Sequence, residues 1–153
     1  MISAWRLITQ RFQHKAFSGE GAKLYGGRWN HKGIPLVYTA ESQSLALLEM
    51  LAQDEPLRAH YVFIAVSIPS VIIEQLNLKG LPKAWRDHTE LNTLRTLGSK
   101  WAQRKSSAVL AVPSVIIPAE TNYLLNPLHP LFKQIKVGKS QAFSIDTRLI
   151  TKH

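Results

Sequence analysis

The chain has 153 residues, 45% of them hydrophobic and none a cysteine, and 19 Lys and Arg against 10 Asp and Glu give it a net charge of +9. That length suffices for one domain with a real core, and the missing cysteines exclude disulfides, thiol nucleophiles and thiolate metal sites while suiting a reducing cytoplasm. No apolar run approaches the ~20 residues of a spanning helix, and Met1–Arg6 lacks the charged-then-apolar order of a secretory signal, so a cytoplasmic protein with no membrane association is expected.

The charge is uneven. Residues 1–76 hold seven Lys/Arg against six Asp/Glu, and residues 77–153 hold twelve against four. A basic second half implies an anionic partner: nucleic acid, an acidic protein or a phosphorylated small molecule. A solvated basic surface fits the same counts.

Ser3 to Arg11 reads as a short strand or a turn of helix, with Trp5, Leu7 and Ile8 as apolar anchors and Arg6 among them. Residues 13–24 are polar and glycine-containing and read as a loop. Gly19-x-Gly21 is no dinucleotide fingerprint, because Leu24 stands where the third glycine would be. Next comes Gly26-Gly27-Arg28-Trp29-Asn30. Two glycines allow a tight turn. A guanidinium set between them and a tryptophan suits a phosphate, whose oxygens its planar fork can hold in pairs. A hairpin corner with a solvated Arg and a packed Trp fits the same five residues.

After Pro35, Leu36 to Ala40 is strand-like, with Leu36 and Tyr38 on one face and Val37 on the other. Ser42 to Gln53 reads as a largely buried helix with Ser42 as N-cap. Glu49 is its only charge, at the edge of a leucine-rich arc. A carboxylate there is costly to desolvate unless a cation or donors meet it; Glu49 either points out at the helix rim or faces a cleft, and the cleft is the reading favoured. Tyr61 to Ile68 alternates as a strand and ends at Pro69. Residues 77–86 read as a loop. Asp87 and Glu90 resemble a capping pair for a helix that aligns Leu91, Leu94, Leu97 and Trp101, with Gly98-Ser99 as a candidate break. Arg95, Lys100, Arg104 and Lys105 fall on its polar side, which reads as a solvated face.

Ala108 to Val112 is a continuous apolar run and a candidate central strand. Pro113-Ser114 stops it, and Val115-Ile116-Ile117 resumes strand character up to Pro118. Asn122 and the stretch Asn126–Pro130 are turn-rich. Phe132 to Val137 and Ala142 to Ile150 read as a hairpin about Gly138-Lys139-Ser140, with Lys133, Lys136 and Lys139 outward. Six strands and two or three helices without regular βαβ alternation give an α+β fold.

Several chemistries drop out. The six histidines (His14, His31, His60, His88, His129 and His153) are scattered without ligand spacing, so no metal site is expected. Gly-x-Ser-x-Gly is absent, which removes the nucleophile elbow. The basic residues do not cluster on one recognition helix. Single-stranded RNA binding on an aromatic sheet face stays open, as does a basic nucleic-acid-binding module with Arg28 and Trp29 as its contacts. The remaining set is Arg28, Tyr38 and Glu49, ten and eleven residues apart. These are the parts needed to cleave an N-glycosidic bond in a dinucleotide. A carboxylate stabilises an oxocarbenium-like transition state, an aromatic ring holds the departing base, and an arginine anchors the phosphate and fixes the ribose.

The sequence also resembles a known family, the RES domain toxins of bacterial toxin–antitoxin pairs, named after an Arg, a Glu and a Ser. The matching residues are Arg28 in Gly-Gly-Arg-Trp-Asn, Glu49 in Leu-Ala-Leu-Leu-Glu and Ser114 in Val-Pro-Ser, with Ser106 and Ser107 close by as other serines. Trp5-Arg6-Leu7, Gly33 through Val37-Tyr38-Thr39-Ala40, Trp101, Asn122, Asn126-Pro127-Leu128-His129-Pro130 and Phe132 extend the resemblance along nearly the whole chain. It implies an ADP-ribosyltransferase-like fold, a mixed and mostly antiparallel split sheet flanked by helices. It implies cleavage of the nicotinamide–ribose bond of NAD+, which is substrate and not cofactor. Arg28 would then bind the phosphate or ribose side and Tyr38 would stack on nicotinamide. Glu49 would bond the ribose, and Ser114 would position the ribose or Arg28. The implied partner is a cognate Xre-type antitoxin with a DNA-binding domain that blocks the pocket, DNA being reached only through that complex.

Overall fold

Residues 1–53 and 60–149 are described in the computed structural model of the chain. Its longest register is an antiparallel pair. β1 (Ile2–Thr9) and β3 (Tyr61–Ile68) match residue for residue, from Ile2 opposite Ile68 to Thr9 opposite Tyr61. Both are rich in β-branched and aromatic residues, which fit a pleated surface. β7 (Lys136–Phe143) adds to β3 on the outer side. Beyond β1 come β2 (Val37–Ala40), β6 (Thr121–Leu125), β5 (Val109–Pro113) and the short β4 (Ile73–Gln75). Among the described residues only β4 and β5 pair in parallel.

β1 and β2 meet at a single residue pair, Trp5 opposite Ala40. From there the strands part, so the sheet is split as the resemblance implied. Arg6 bridges the opening. Its Nη1 donates to the Tyr38 carbonyl at 3.1 Å and its Nε to the Ala16 carbonyl at 2.5 Å. The first bond satisfies a carbonyl that the parted strands cannot. Burial draws the Arg6 guanidinium down to about 10, and it stays cationic at neutral pH.

Two helices cover one face. α2, which follows α1 (Glu20–Tyr25), spans Gln43–Leu51, and Ser42 caps it as expected by accepting from the Leu45 amide at 3.1 Å. Its Leu45 and Ala46 pack on Ala40 and Phe63. α3 (Leu91–Arg104) sets Leu94, Trp101 and Ala102 against Leu36, Leu110, Val112 and Leu124. Tyr38 joins that cluster, while Val37 belongs to the cluster on the other face with Ala4, Val66 and Leu125. The predicted alternation of Leu36, Val37 and Tyr38 therefore holds.

Other expectations are corrected. Residues 13–24 are not all loop. A 3-10 turn (Gln10–Lys15) precedes α1, whose six residues are too few for a helical period to show. α2 is less buried than its sequence implied, with Leu48 40% exposed. Gly98-Ser99 does not break α3, since both residues are buried where the helix meets a neighbouring turn. Asp87 caps the 3-10 turn His88–Glu90 leading into α3, not α3 itself. β5 is second from the sheet edge and not central. It reads as a continuous apolar run because both of its faces are covered.

The C-terminal third departs most. Val115–Ile117 is a turn, not a strand, and Asn122, expected in a turn, lies on β6 (Thr121–Leu125). The predicted hairpin is instead a 3-10 segment (Pro130–Gln134) and one strand that runs straight through Gly138. There an added Cβ would lie 3.1 Å from the Ala65 carbonyl oxygen, beside an irregularity in the β3–β7 register. That glycine serves close approach and not a turn. Ile150, the end of the expected second strand, lies outside the described residues. The sheet thus has seven strands among the described residues, against six expected.

Candidate active site

The Gly26–Asn30 stretch is a tight turn with Arg28 and Trp29 at its tip. Gly27 and Asn30 bridge, the Gly27 amide donating to the Asn30 carbonyl at 3.1 Å. Gly26 has φ +75°, a left-handed backbone that favours glycine. A Cβ on Gly27 would lie 2.5 Å from Tyr38 Oη and 2.8 Å from Asn30 Oδ1. α3 holds the turn from behind. Arg95 Nε donates to the Gly27 carbonyl at 2.7 Å, Ser99 Oγ accepts from the His31 amide at 2.9 Å, and His31 Nε2 lies 3.0 Å from Thr96 Oγ1. Trp29 is buried at 2% exposure and anchors the turn in the core. Arg28 lies near enough for its charge to act on Tyr38, and its Nη1 is buried with no hydrogen-bond partner among the described residues.

Tyr38 is locked by its hydroxyl. Oη accepts from the Trp29 amide at 2.9 Å and donates to Asn30 Oδ1 at 2.6 Å. Burial pushes the phenol well above its ordinary value, against the Trp29 amide and the charges of Arg95 and Arg28, which work the other way. The hydroxyl is neutral and spent on structure, so the half-buried ring is what Tyr38 can offer a ligand.

Glu49 turns inward from α2. Its Oε2 accepts from Ser114 Oγ at 2.8 Å and from Asn122 Nδ2 at 2.5 Å. Ser114 is fully buried in the turn after β5, where its Oγ also accepts from the Ile116 and Ile117 amides at 3.1 Å each. That hydroxyl has no free valence for nucleophilic attack. Asn122 sits on β6 opposite Ala40, and Tyr38 is two residues along β2, about 7 Å by strand rise and on the same face.

The structure therefore brings Arg28, Tyr38, Glu49 and Ser114 to one region on the helix-covered face of the sheet. Ser114 rests on Glu49; no bond joins it to Arg28. Ser106 and Ser107 are elsewhere, donating to Glu74 at 2.8 and 3.0 Å beside Arg104 at 2.9 Å. Three contributors escaped the sequence reading as site residues. Asn122 reads as turn and Arg6 stands among apolar anchors, both matched in the family resemblance without a role, and Arg95 falls on a face that reads as solvated. Among the described residues no three His, Asp or Glu gather as metal ligands would, and no helix is long and apolar enough to cross a membrane.

Fold and site together define an α+β protein with a split sheet, a fixed carboxylate, an unmet guanidinium and an aromatic ring. Comparison with known proteins makes this specific. Residues 3–146 match the RES domain model. The chain is 40% identical over 149 residues to "Toxin Res" of Photorhabdus laumondii, covering 95% of this chain and 96% of that one. It is 37% identical over 157 residues to the "Prs ADP-ribosylating toxin" of a Sphingobium species, covering 98% of each. In structure it resembles a chain of the M. tuberculosis MbcT–MbcA toxin–antitoxin complex, with a TM-score of 0.71 at 18% identity over 94% of this chain and 84% of that one. The last likeness concerns the fold alone. The chain belongs to the RES domain family of toxins.

Proposed function

We propose that this chain is the toxin of a toxin–antitoxin pair and acts by breaking the nicotinamide–ribose bond of NAD+. The observation that carries the reading is Glu49, a lone carboxylate on an apolar helix with one oxygen fixed by Ser114 and Asn122. Its other oxygen makes no hydrogen bond to the described residues. A negative charge so held needs no reorganisation when positive charge develops beside it.

The bond between ribose C1′ and the pyridine nitrogen breaks, and its electron pair goes to the nitrogen. Nicotinamide leaves neutral, so no general acid is required. The sugar takes on oxocarbenium character, which Glu49 stabilises. The Tyr38 ring stacks on the nicotinamide. Arg28 supplies a buried, unmet donor for a phosphate oxygen and so holds the dinucleotide in register. An acceptor adds to C1′ and gives up a proton. Water, phosphate and a protein side chain are the three acceptor classes, and the Sphingobium relative's name points to the last for that protein. NAD+ as substrate suits a cytoplasmic site of action. An antitoxin partner is in keeping with the toxin–antitoxin complex of the structural relative; that it is of the DNA-binding Xre type follows from the family resemblance alone.

The nucleic-acid reading made Trp29 a contact, but that ring is buried in the core and offers no stacking surface. The test is to incubate purified protein with NAD+, with and without phosphate and with cell lysate, and to identify products by mass spectrometry. Nicotinamide with ADP-ribose, its phosphate or a labelled protein supports the reading. Intact NAD+ under all three conditions refutes it.

A further inference from the structure

Asn122 uses only half of its amide. Nδ2 donates to Glu49 Oε2 at 2.5 Å, and this fixes which way the amide faces, because a carboxylate only accepts. Asn122 Oδ1 is then directed elsewhere, and it is buried with no hydrogen-bond partner among the described residues. A buried acceptor without a donor is rare in folded proteins and marks a place where something else supplies one. Glu49 presents a second acceptor, Oε1. The Nδ2–Oε2 bond ties the two groups together, so their free oxygens are separated by no more than one hydrogen bond plus the widths of an amide and a carboxylate. A vicinal cis-diol presents two donors side by side at such a spacing.

We propose that Asn122 is a specificity-determining residue that grips the nicotinamide-side ribose together with Glu49. This rests on NAD+ being the substrate. Glu49 Oε1 accepts from the 2′-hydroxyl, since the carboxylate must lie near C1′ and that hydroxyl is the neighbour of C1′. Asn122 Oδ1 accepts from the 3′-hydroxyl. Asn122 thus has two duties: its nitrogen aims the carboxylate and its oxygen reads the sugar. A sugar lacking the 3′-hydroxyl would leave Oδ1 buried and unmet in the complex, which is how a polar pocket rejects an analogue that has lost a donor.

The test compares kcat/KM for NAD+ and for an analogue lacking the 3′-hydroxyl of the nicotinamide-side ribose, in the wild type and in Asn122→Ala. The wild type is expected to prefer NAD+ by about a hundredfold, and Asn122→Ala to retain less than about threefold preference, because the acceptor has gone with the side chain. The same preference in both proteins overturns the proposal. If Asn122→Ala does not fold, calorimetric binding of ADP-ribose and of its counterpart lacking the same hydroxyl to the wild type decides it. The counterpart is expected to bind at least about tenfold more weakly, and equal affinity overturns the grip. Should the wild type show that preference yet release no nicotinamide from NAD+, the cleavage reading fails and the grip stands. Should it neither bind ADP-ribose nor turn over NAD+, both fail.

Discussion

Gly98 offers a test in which two physical effects predict opposite signs. It lies inside α3, where replacing glycine by alanine in an isolated helix gains about 1 kcal/mol. Here the helix backbone runs against the turn that carries Arg28. A Cβ at position 98 would fall well inside contact distance of the Trp29 carbonyl oxygen, with Trp29 C and Cβ next nearest. The obstacle is backbone, so no rotamer change relieves it. Overpacking of this kind costs about 1–3 kcal/mol and at times more, and with the turn pinned by Arg95 and Ser99 the upper end applies. The net expectation is a loss of about 2 kcal/mol, or roughly 4–8 °C in Tm for a chain of this size. Because the turn must shift, nicotinamide release should fall as well. Urea denaturation and a thermal melt of Gly98→Ala beside the wild type measure the first effect. A variant as stable as the wild type, or more so, would refute the close-approach argument and restore glycine as a mere weak point in the helix.

Tyr38→Phe keeps the ring but leaves the Trp29 amide and Asn30 Oδ1 without their partner; it should lose about 1–3 kcal/mol of stability while retaining measurable turnover. Tyr38→Ala should lose turnover far more completely, and equal initial rates for the two variants would show that the ring is not the working part. Glu74 gives a pH signature. Burial works against its carboxylate, but hydrogen bonds from Ser106, Ser107 and Arg104 outweigh that and hold it below its ordinary 4.5. With the folded value below the unfolded one, its stabilisation is present above 4.5 and drains away as pH falls through the folded value. Glu74→Gln should therefore lose up to about 1 kcal/mol at neutral pH, the range of an exposed pair, and this deficit in urea midpoints should shrink as pH is lowered below 4.5; a deficit that does not change with pH would contradict this.

Much of the scaffold was legible because its signals are local. Ser42 before an apolar helix, the alternation of Tyr61 to Ile68 and the paired faces of Leu36, Val37 and Tyr38 all lie within a few residues of each other. Glu49 stood out as a lone charge in an apolar helix, and that contrast survives in the fold as a buried-side carboxylate with two donors. What escaped depends on partners far along the chain. Asn122 reads as turn because a strand that lends a polar side chain to a site loses its apolar alternation. Gly98 and Gly138 read as a break and a turn, yet each only makes room for a carbonyl, of Trp29 and of Ala65. Arg95 looked like one more surface cation until the turn it holds, 68 residues earlier, came against it.

The central claim concerns the charge on Glu49. The most direct measurement is the rate of nicotinamide release from NAD+ by purified wild type and Glu49→Gln, with matched thermal melts to show that both are folded. The exchange keeps the shape of the side chain and removes its charge. A fall of at least about a hundredfold at unchanged Tm is the predicted result. Release at the wild-type rate from folded Glu49→Gln would contradict the account.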